Sequence, residues 1–348
     1  MKTKILIGVM MVLLVGCEGA SPPTGASVSF AWSYRAGDYV RGRPAVRDGV
    51  VYVGADDNVL HAMNADTGES IWQYQTADNV TSLPAVSGSA VYFGSWDGAV
   101  YAVDAGRGKL RWRYETDGWV SASPVISDGI LYVGSHDGAF YALAAEGGDP
   151  VWRYETGGRI EAGASLAGDL AFVGSADNDL YALDVTRGEL QWRYRTGGDI
   201  VAAPAVAAGT VYVGSVDRRF YALDAATGQL LWAFEAEYGI ESSPVVTDGI
   251  VYVGANDGRL YALRAQDGHL VWQYRAKDTV RAAPAVWGPL VFAGSDDGYL
   301  YGLDRETGSL VWSYRTGGAI VAGPVVADEQ LFAGSTDRRL HAFSLGLE

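Results

Sequence analysis

The sequence contains a single cysteine, Cys17, and so cannot form an internal disulfide bond. Histidine is also scarce. His136 and His269 lie in predicted turns without a second histidine at ligand spacing, so no metal site is expected. Neither a Gly-x-Ser-x-Gly motif nor a phosphate-binding loop of the Gly-x-x-x-x-Gly-Lys type occurs. These absences leave no recognisable reaction centre.

Positive charge is sparse as well. The formal net charge is −15 at pH 7, and no stretch is rich in lysine or arginine. A surface of this kind repels phosphate backbones, so nucleic acid is excluded as an expected partner.

Helical periodicity is absent, and a 40-residue repeat takes its place. A glycine recurs at this step from Gly54 to Gly334, and an aspartate recurs from Asp57 to Asp337. Self-similarity at a fixed period of this size indicates a repeat architecture. The repeat is marked most clearly by tryptophans, which are Trp32, Trp72, Trp112, Trp152, Trp192, Trp232, Trp272 and Trp312.

One repeat shows four short apolar segments separated by turns. Residues 200–206 are predicted to form a first strand, 210–214 a second, 220–223 a third and 229–235 a fourth. Asp-Gly and Asp-Asn pairs at the second turn of most copies favour tight hairpins. Four antiparallel strands per 40 residues predict one blade of an all-β propeller.

The ends of the repeat predict how the ring closes. Residues 28–34 match a fourth strand with no first three strands before it, and residues 340–343 match a third strand with no fourth after it. The two fragments would complete one sheet, which removes an exposed edge. We therefore expect an eight-bladed propeller over residues 28–348, monomeric, whose N-terminal strand completes the last blade.

The N-terminal residues have the pattern of a targeting segment. Lys2 and Lys4 precede an apolar run that is too short for a permanent membrane-spanning helix. The run ends in Leu-Val-Gly-Cys17, which resembles the lipobox of bacterial lipoproteins. This resemblance implies a signal peptide over residues 1–16, a lipid on Cys17 and a flexible tether over residues 17–27. The alternative to a lipobox is an ordinary secretory signal with an incidental cysteine. If Cys17 carries a lipid, Glu18 after it favours an outer-membrane location facing the periplasm.

The turn before each tryptophan from Trp72 to Trp312 carries a motif, which is Ala222-x-Asp224-x-x-Thr227-Gly228-x-x-x-Trp232 in the most complete copy and degenerate in two of the seven. It resembles the tryptophan-docking motif of PQQ-type propellers, the quinoprotein alcohol dehydrogenases and their non-enzymatic relatives. In that family each tryptophan wedges between neighbouring blades. The resemblance covers residues 28–347. The enzymes of the family hold PQQ and Ca²⁺, but this chain lacks their insertions and their adjacent cysteines, so no cofactor is expected.

The chain is also similar to the BamB-type lipoproteins, eight-bladed propellers of the outer membrane that aid the machinery inserting β-barrel proteins. The 40-residue spacing leaves little room for the longer partner-binding loops of that family. The resemblance implies a non-catalytic, lipid-anchored periplasmic scaffold with protein partners, among which that machinery is the expected one. The alternative is a small PQQ-dependent dehydrogenase or a propeller that binds a sugar or other ligand in its central funnel.

Binding residues are expected where the repeat does not repeat, because a side chain present in every copy serves packing or turn chemistry. The loops between fourth and first strands should share one face with the turns between second and third strands. Tryptophan, tyrosine and arginine are frequent interface anchors. Drift at unconstrained surface positions is the alternative explanation. The candidate binding residues on this face are Tyr39, Arg41, Trp96, Trp119, His136, Arg159 and Tyr238.

Overall fold

The computed structural model describes residues 25–347 and confirms an all-β, eight-bladed propeller. Sheets 1 to 7 each contain four consecutive antiparallel strands, and the β1 strand completes sheet 8 beside the last three strands. No helix of the described residues could span a membrane. The strands are β1 (Ala26–Arg35), β2 (Ala45–Arg47), β3 (Val50–Gly54), β4 (Val59–Asn64), β5 (Ser70–Gln75), β6 (Ala85–Ser87), β7 (Ala90–Gly94), β8 (Ala99–Asp104), β9 (Leu110–Glu115), β10 (Val125–Ser127), β11 (Ile130–Gly134), β12 (Ala139–Ala144), β13 (Pro150–Glu155), β14 (Ser165–Ala167), β15 (Leu170–Gly174), β16 (Asp179–Asp184), β17 (Leu190–Arg195), β18 (Ala205–Ala207), β19 (Thr210–Gly214), β20 (Arg219–Asp224), β21 (Leu230–Glu235), β22 (Val245–Thr247), β23 (Ile250–Gly254), β24 (Arg259–Arg264), β25 (Leu270–Arg275), β26 (Ala285–Trp287), β27 (Leu290–Gly294), β28 (Tyr299–Asp304), β29 (Leu310–Arg315), β30 (Val325–Ala327), β31 (Gln330–Ser335) and β32 (Arg339–Leu347).

The predicted first strand over residues 200–206 is wrong in its start, because β18 begins only at Ala205. The preceding residues are apolar for a different reason. Ile200 is buried and packs on the second strand of the previous sheet, where a Cβ at Gly174 would lie 2.3 Å from Ile200 Cγ2. Pro204 also lacks the N–H group that a ladder needs. The close approach of this loop to the preceding sheet explains why a glycine recurs every 40 residues at the end of each second strand.

Each sheet is joined to the next through a tryptophan on its outermost strand. The Trp192 indole Nε1 donates to the Ala225 carbonyl of the next sheet, and Gly228 of that sheet lies against the ring. A Cβ at Gly228 would lie 2.6 Å from the indole, so only glycine fits. The donor–acceptor pairs at 2.8–3.0 Å are Trp32–Ala65, Trp72–Ala105, Trp112–Ala145, Trp152–Val185, Trp192–Ala225, Trp232–Ala265 and Trp272–Arg305.

The aspartate of the motif holds the turn that presents this glycine. Asp224 Oδ1 accepts hydrogen bonds from the backbone N–H groups of Ala226 and Thr227 and from the Thr227 hydroxyl. Asn64 makes the equivalent contacts in the first sheet. An aspartate or asparagine that binds the backbone two and three residues ahead is a recurrent turn-forming device.

The junction between sheets 7 and 8 departs from this pattern, because the residue 33 positions after Trp312 belongs to β32 and not to a turn. Trp312 instead packs edge-on against Phe343, with ring centroids 5.1 Å apart, and stacks on Tyr314. The repeat is therefore interrupted where the ring closes.

Ring closure comes from β1 and β32, which pair antiparallel from Ala26 opposite Leu347 to Arg35 opposite Arg339. Both strands are longer than predicted: β1 begins two residues before position 28, and β32 continues four residues past position 343. The extra length places Ala26 and Leu345 in the core between sheets 7 and 8. Pairing the two ends in one sheet closes the ring.

The recurrent aspartate of the second turn bridges neighbouring loops. Asp217 Oδ2 accepts hydrogen bonds from the Tyr221 hydroxyl and from the Gly197 N–H of the preceding loop. His61 takes the place of this tyrosine in the first sheet and donates from Nε2 to Asp57. Burial acts to raise the pKa of Asp57, but the hydrogen bond and charge of His61, together with the backbone N–H groups of Gly37 and Val59, lower that pKa on balance. His61, like His341 at the equivalent position, thus substitutes for tyrosine as expected.

Candidate partner-binding face

The loops between fourth and first strands share one side of the disc, here the upper face, with the turns between second and third strands. Backbone hydrogen bonds join the two sets: Asp56 N–H donates to the Tyr39 carbonyl and Trp96 N–H to the Asn79 carbonyl, both at 2.9 Å. The remaining turns form the lower face, where for example Ala65 N–H donates to a carbonyl of the β2–β3 turn. This confirms the expected arrangement of loops.

Four of the seven candidate residues are in contact on the upper face. The indole rings of Trp96 and Trp119 stack with centroids 4.7 Å apart and planes within 4° of parallel. The Arg41 guanidinium lies over the Trp96 ring, 5.5 Å from its centroid, and the His136 and Trp119 rings have centroids 5.6 Å apart. We call Arg41, Trp96, Trp119 and His136 the aromatic cluster. Trp119 is 48% exposed, so the cluster presents a flat apolar surface to solvent.

Hydrogen bonds fix the cluster before any partner binds. Arg41 forms an ion pair of 2.6 Å with Asp56, and burial raises the pKa of that carboxyl although the guanidinium opposes the shift. Trp96 Nε1 donates to the Thr81 hydroxyl at 2.9 Å. A surface whose rotamers are already fixed loses little entropy on binding.

His136 occupies a polar site under Trp119. Its Nε2 lies 2.8 Å from the Ser121 hydroxyl. Burial lowers the pKa of His136 below its usual value; Glu161 and Asp137 oppose this shift and Arg159 adds to it. The ring is therefore neutral at pH 7.

A pH dependence follows from this lowered pKa. The unfolded chain, in which His136 has an ordinary pKa of about 6.5, binds more protons than the folded protein below that pH. The contribution of the neutral His136 ring to the free energy of unfolding is complete above about pH 6.5. It is lost as the pH falls towards the folded-state pKa of His136. We expect urea unfolding to show a steeper loss between about pH 7.5 and about pH 5.5 for the wild type than for His136→Gln. The other histidines are present in both proteins, so their effects cancel in the comparison. An equal loss of unfolding free energy with pH in the two proteins would contradict a lowered pKa for His136.

The other three candidate residues lie apart from the cluster. Arg159 is bound by Glu161 and lies 3.7 Å from Asp199 in the adjoining loops. Tyr39 is 43% exposed in the β1–β2 loop. Tyr238 is 57% exposed in the β21–β22 loop, on the opposite side of the ring. The upper face is therefore asymmetric, with the aromatic surface on sheets 1 to 3.

A cavity of about 420 Å³ lies on the propeller axis beneath the upper face, and all eight sheets contribute to its wall. Its charged residues are Arg41, Arg43, Glu161, Glu241 and Arg281. Sequence reasoning missed Arg43. The available signal was its position two residues before the first strand of its sheet, because no other copy of the repeat has a charged residue there. Leu83 and Ser123 occupy this position in the next two copies.

A larger cavity, of about 890 Å³, lies elsewhere. It opens on the lower face between sheets 6 and 7, where Trp272, Tyr252 and Arg305 form part of its wall. None of the candidate residues contributes to it.

Quinoprotein relatives raise the question whether the chain fits PQQ with Ca²⁺. Ca²⁺ takes six to eight oxygen ligands. Among residues 25–347 no group of three or more His, Cys, Asp or Glu side chains could hold a metal ion. We therefore derive no catalytic step through a calcium-bound quinone.

Comparison with known families decides the classification. The PQQ_2 family model, described as outer membrane protein assembly factor BamB, matches residues 24–83, 76–162, 156–283 and 275–346. The chain belongs to this family. These overlapping matches span the whole described propeller of the BamB-family chain. No curated protein sequence matches it.

Solved structures show the same architecture. BamB from Moraxella catarrhalis superposes on the BamB-family chain with a TM-score of 0.80 and 23% identity, covering 91% of this chain and 100% of that one. The computationally designed Ika8 protein gives 0.82 and 18%, covering 91% and 99%. Quinohemoprotein alcohol dehydrogenase ADHIIG from Pseudomonas putida HK5 gives 0.78 and 18%, covering 92% and 76%. At these identities the similarity establishes the fold alone, because one fold hosts enzymes and scaffolds alike.

Proposed function

We propose that this BamB-family chain is a non-catalytic, lipid-anchored envelope protein that binds periplasmic parts of the machinery for outer-membrane β-barrel assembly. The observation that carries the proposal is the aromatic cluster, an exposed and pre-ordered Trp–Trp–Arg surface on a closed scaffold. Tryptophan and arginine dominate the binding energy of protein interfaces. The family match to BamB supports the choice of partner.

The path of the chain gives the propeller an orientation under this proposal. Ala26 pairs with Leu347 at the lower face, since the neighbouring Leu345 N–H donates to Glu329 of the lower β30–β31 turn. Cys17 lies outside the described residues. A lipid on it would reach the lower face through a tether of at most about 30 Å. The upper face would then point away from the membrane, where soluble partner domains can reach it.

Removal of the exposed indole tests the docking surface. We expect Trp119→Ala to weaken partner binding by at least about 2 kcal/mol, or roughly thirtyfold, because a central aromatic anchor and its stacking on Trp96 are lost. The measurement is recovery of barrel-assembly components from solubilised membranes on immobilised protein. Tyr238→Ala is the matched control, since it truncates another exposed aromatic on the same face but on the far side of the ring.

Two results would contradict the proposal. Recovery of no barrel-assembly component by the wild type, together with normal outer-membrane protein levels in a deletion strain, would remove the proposed partner. Equal loss of binding by Trp119→Ala and Tyr238→Ala would show that the aromatic cluster is not the anchor.

A further inference from the structure

The wall of the axial cavity contains one large cation at a position where the other repeats have small or apolar residues. Arg43 is this residue, and it enters the cavity from the β1–β2 loop. The residues at the equivalent positions are Leu83, Ser123, Gly163, Ala203, Ser243, Ala283 and Gly323.

The donors of this arginine are poorly satisfied. Arg43 Nη2 donates to the Pro324 carbonyl at 3.5 Å, the outer limit of a hydrogen bond, while its Nε is shielded from solvent without a partner among the described residues. Arg41 Nε, in the wall of the same cavity, is also shielded and unpartnered. Burial of the guanidinium lowers the pKa of Arg43. Buried N–H groups without acceptors destabilise a protein unless something else binds them.

The charges around Arg43 are otherwise paired. Arg41 pairs with Asp56, Arg281 with Asp296, and Glu161 with Arg159. The remaining carboxylate in the wall, Glu241, accepts a hydrogen bond from the Asn256 amide. Arg43 forms no ion pair within the described part of the chain. An anionic group beside Arg43 would give its guanidinium the charged partner that the described residues do not provide.

Two hydroxyls add neutral donors to the wall. Ser123 Oγ accepts the Leu83 N–H, and Ser243 Oγ accepts the Ala203 N–H, both at 3.0 Å. Neither hydroxyl hydrogen is donated to another described residue, so each remains free for a group in the cavity.

We propose that the axial cavity binds a monocarboxylate group, with the Arg43 guanidinium as its principal donor and Arg41 Nε as a second. The planar guanidinium fork matches the two oxygens of a carboxylate. The carboxylate comes either from a small free acid or from an acidic side chain of a protein segment that enters from the upper face. The site shares Arg41 with the aromatic cluster, but Trp119 is not in the cavity wall, so Trp119→Ala leaves the lining of the site intact.

The test measures thermal unfolding of the purified protein in sodium acetate against sodium chloride of equal ionic strength. A ligand that binds the folded state raises its melting temperature with concentration. We expect an acetate-specific, saturable rise of several degrees for the wild type and none for Arg43→Met. In chloride, Arg43→Met should melt above the wild type, since a poorly paired buried charge is replaced by an apolar chain of similar length. Arg187→Met, which removes an exposed turn arginine, is the matched control and should respond like the wild type.

A second arm uses a short peptide with one aspartate and its asparagine counterpart. If the aspartate peptide raises the melting temperature, acetate does not, and Arg43→Met abolishes the rise, the carboxylate belongs to a protein segment. If acetate raises the melting temperature, the carboxylate belongs to a free acid. Titration of the Arg43 Nε–H resonance by the same probes tests the wild type independently of any variant's folding. The proposal is overturned when neither probe shifts the wild type from its chloride baseline, or when Arg43→Met responds equally.

Discussion

Removal of β1 should destabilise the propeller by at least about 5 kcal/mol, a large part of the stability of an ordinary domain. The strand contributes nine cross-strand pairs and places Trp32 between sheets 8 and 1. Truncating one buried tryptophan alone costs about 3–5 kcal/mol, and Ala26 is lost as well. Without β1 the edge of β32 is also exposed. The measurement is urea unfolding of residues 25–348 against residues 36–348, followed by tryptophan fluorescence.

A cross-link between the same strands should have the opposite effect. Ser29 lies directly opposite Ser344, and both are exposed. Ser29→Cys with Ser344→Cys, in a chain without Cys17, should raise the free energy of unfolding by about 3–5 kcal/mol when oxidised, because the bond closes almost the whole chain. The reduced form is the control. Unchanged stability in both the truncated and the oxidised proteins would show that β1 does not close the ring.

The docking contact between sheets predicts a large difference between two otherwise similar glycines. Gly228 and Gly209 have φ angles of +71° and +76°. A Cβ at Gly228 would meet the Trp192 indole at 2.6 Å, whereas a Cβ at Gly209 would meet nothing within 4 Å. Left-handed backbone costs alanine about 1–2 kcal/mol, and overpacking against a rigid ring adds about 1–3 kcal/mol. We expect Gly228→Ala to lose roughly 3–4 kcal/mol and Gly209→Ala roughly 1 kcal/mol.

Equilibrium denaturation of the two variants isolates the contact, because the backbone strain is common to both. Gly228→Ala combined with Trp192→Ala should be less destabilised than the sum of the single changes, since the clash disappears with the ring. Equal losses for Gly228→Ala and Gly209→Ala would contradict the docking role of the indole.

The fold was predictable because the same 40-residue sequence pattern recurs for every four-stranded sheet. The 40-residue step of Trp192 and Trp232 determines the blade count, and the unmatched strands at either end predict the closure. The start of the first strand was misplaced because the apolar pattern cannot distinguish residues that pair in a β-strand from loop residues that are only buried. Ile200 is buried but lies outside every strand, and Pro204 has no N–H group to extend β18 towards it.

The candidate site was less predictable, because its contacts join different repeats. Trp96 and Trp119 were singled out as deviations from the repeat, but their stacking depends on the relative tilt of neighbouring sheets. Tyr238 deviates in the same way and lies across the ring. Arg43 differs from the small or apolar residues at the equivalent position of the other repeats. That its Nε has no hydrogen-bond partner among the described residues could be established only from the structure, in which all eight sheets line the cavity.

Site-specific photo-crosslinking in cells tests the central claim most directly. A benzoylphenylalanine at Tyr39, an exposed aromatic of the upper face, is compared with one at Lys109, an exposed residue of a lower-face turn. The account predicts a crosslink from position 39 to a component of the barrel-assembly machinery, reduced by Trp119→Ala, and none from position 109. A crosslink to that machinery from position 109 alone, or from neither position, would contradict it.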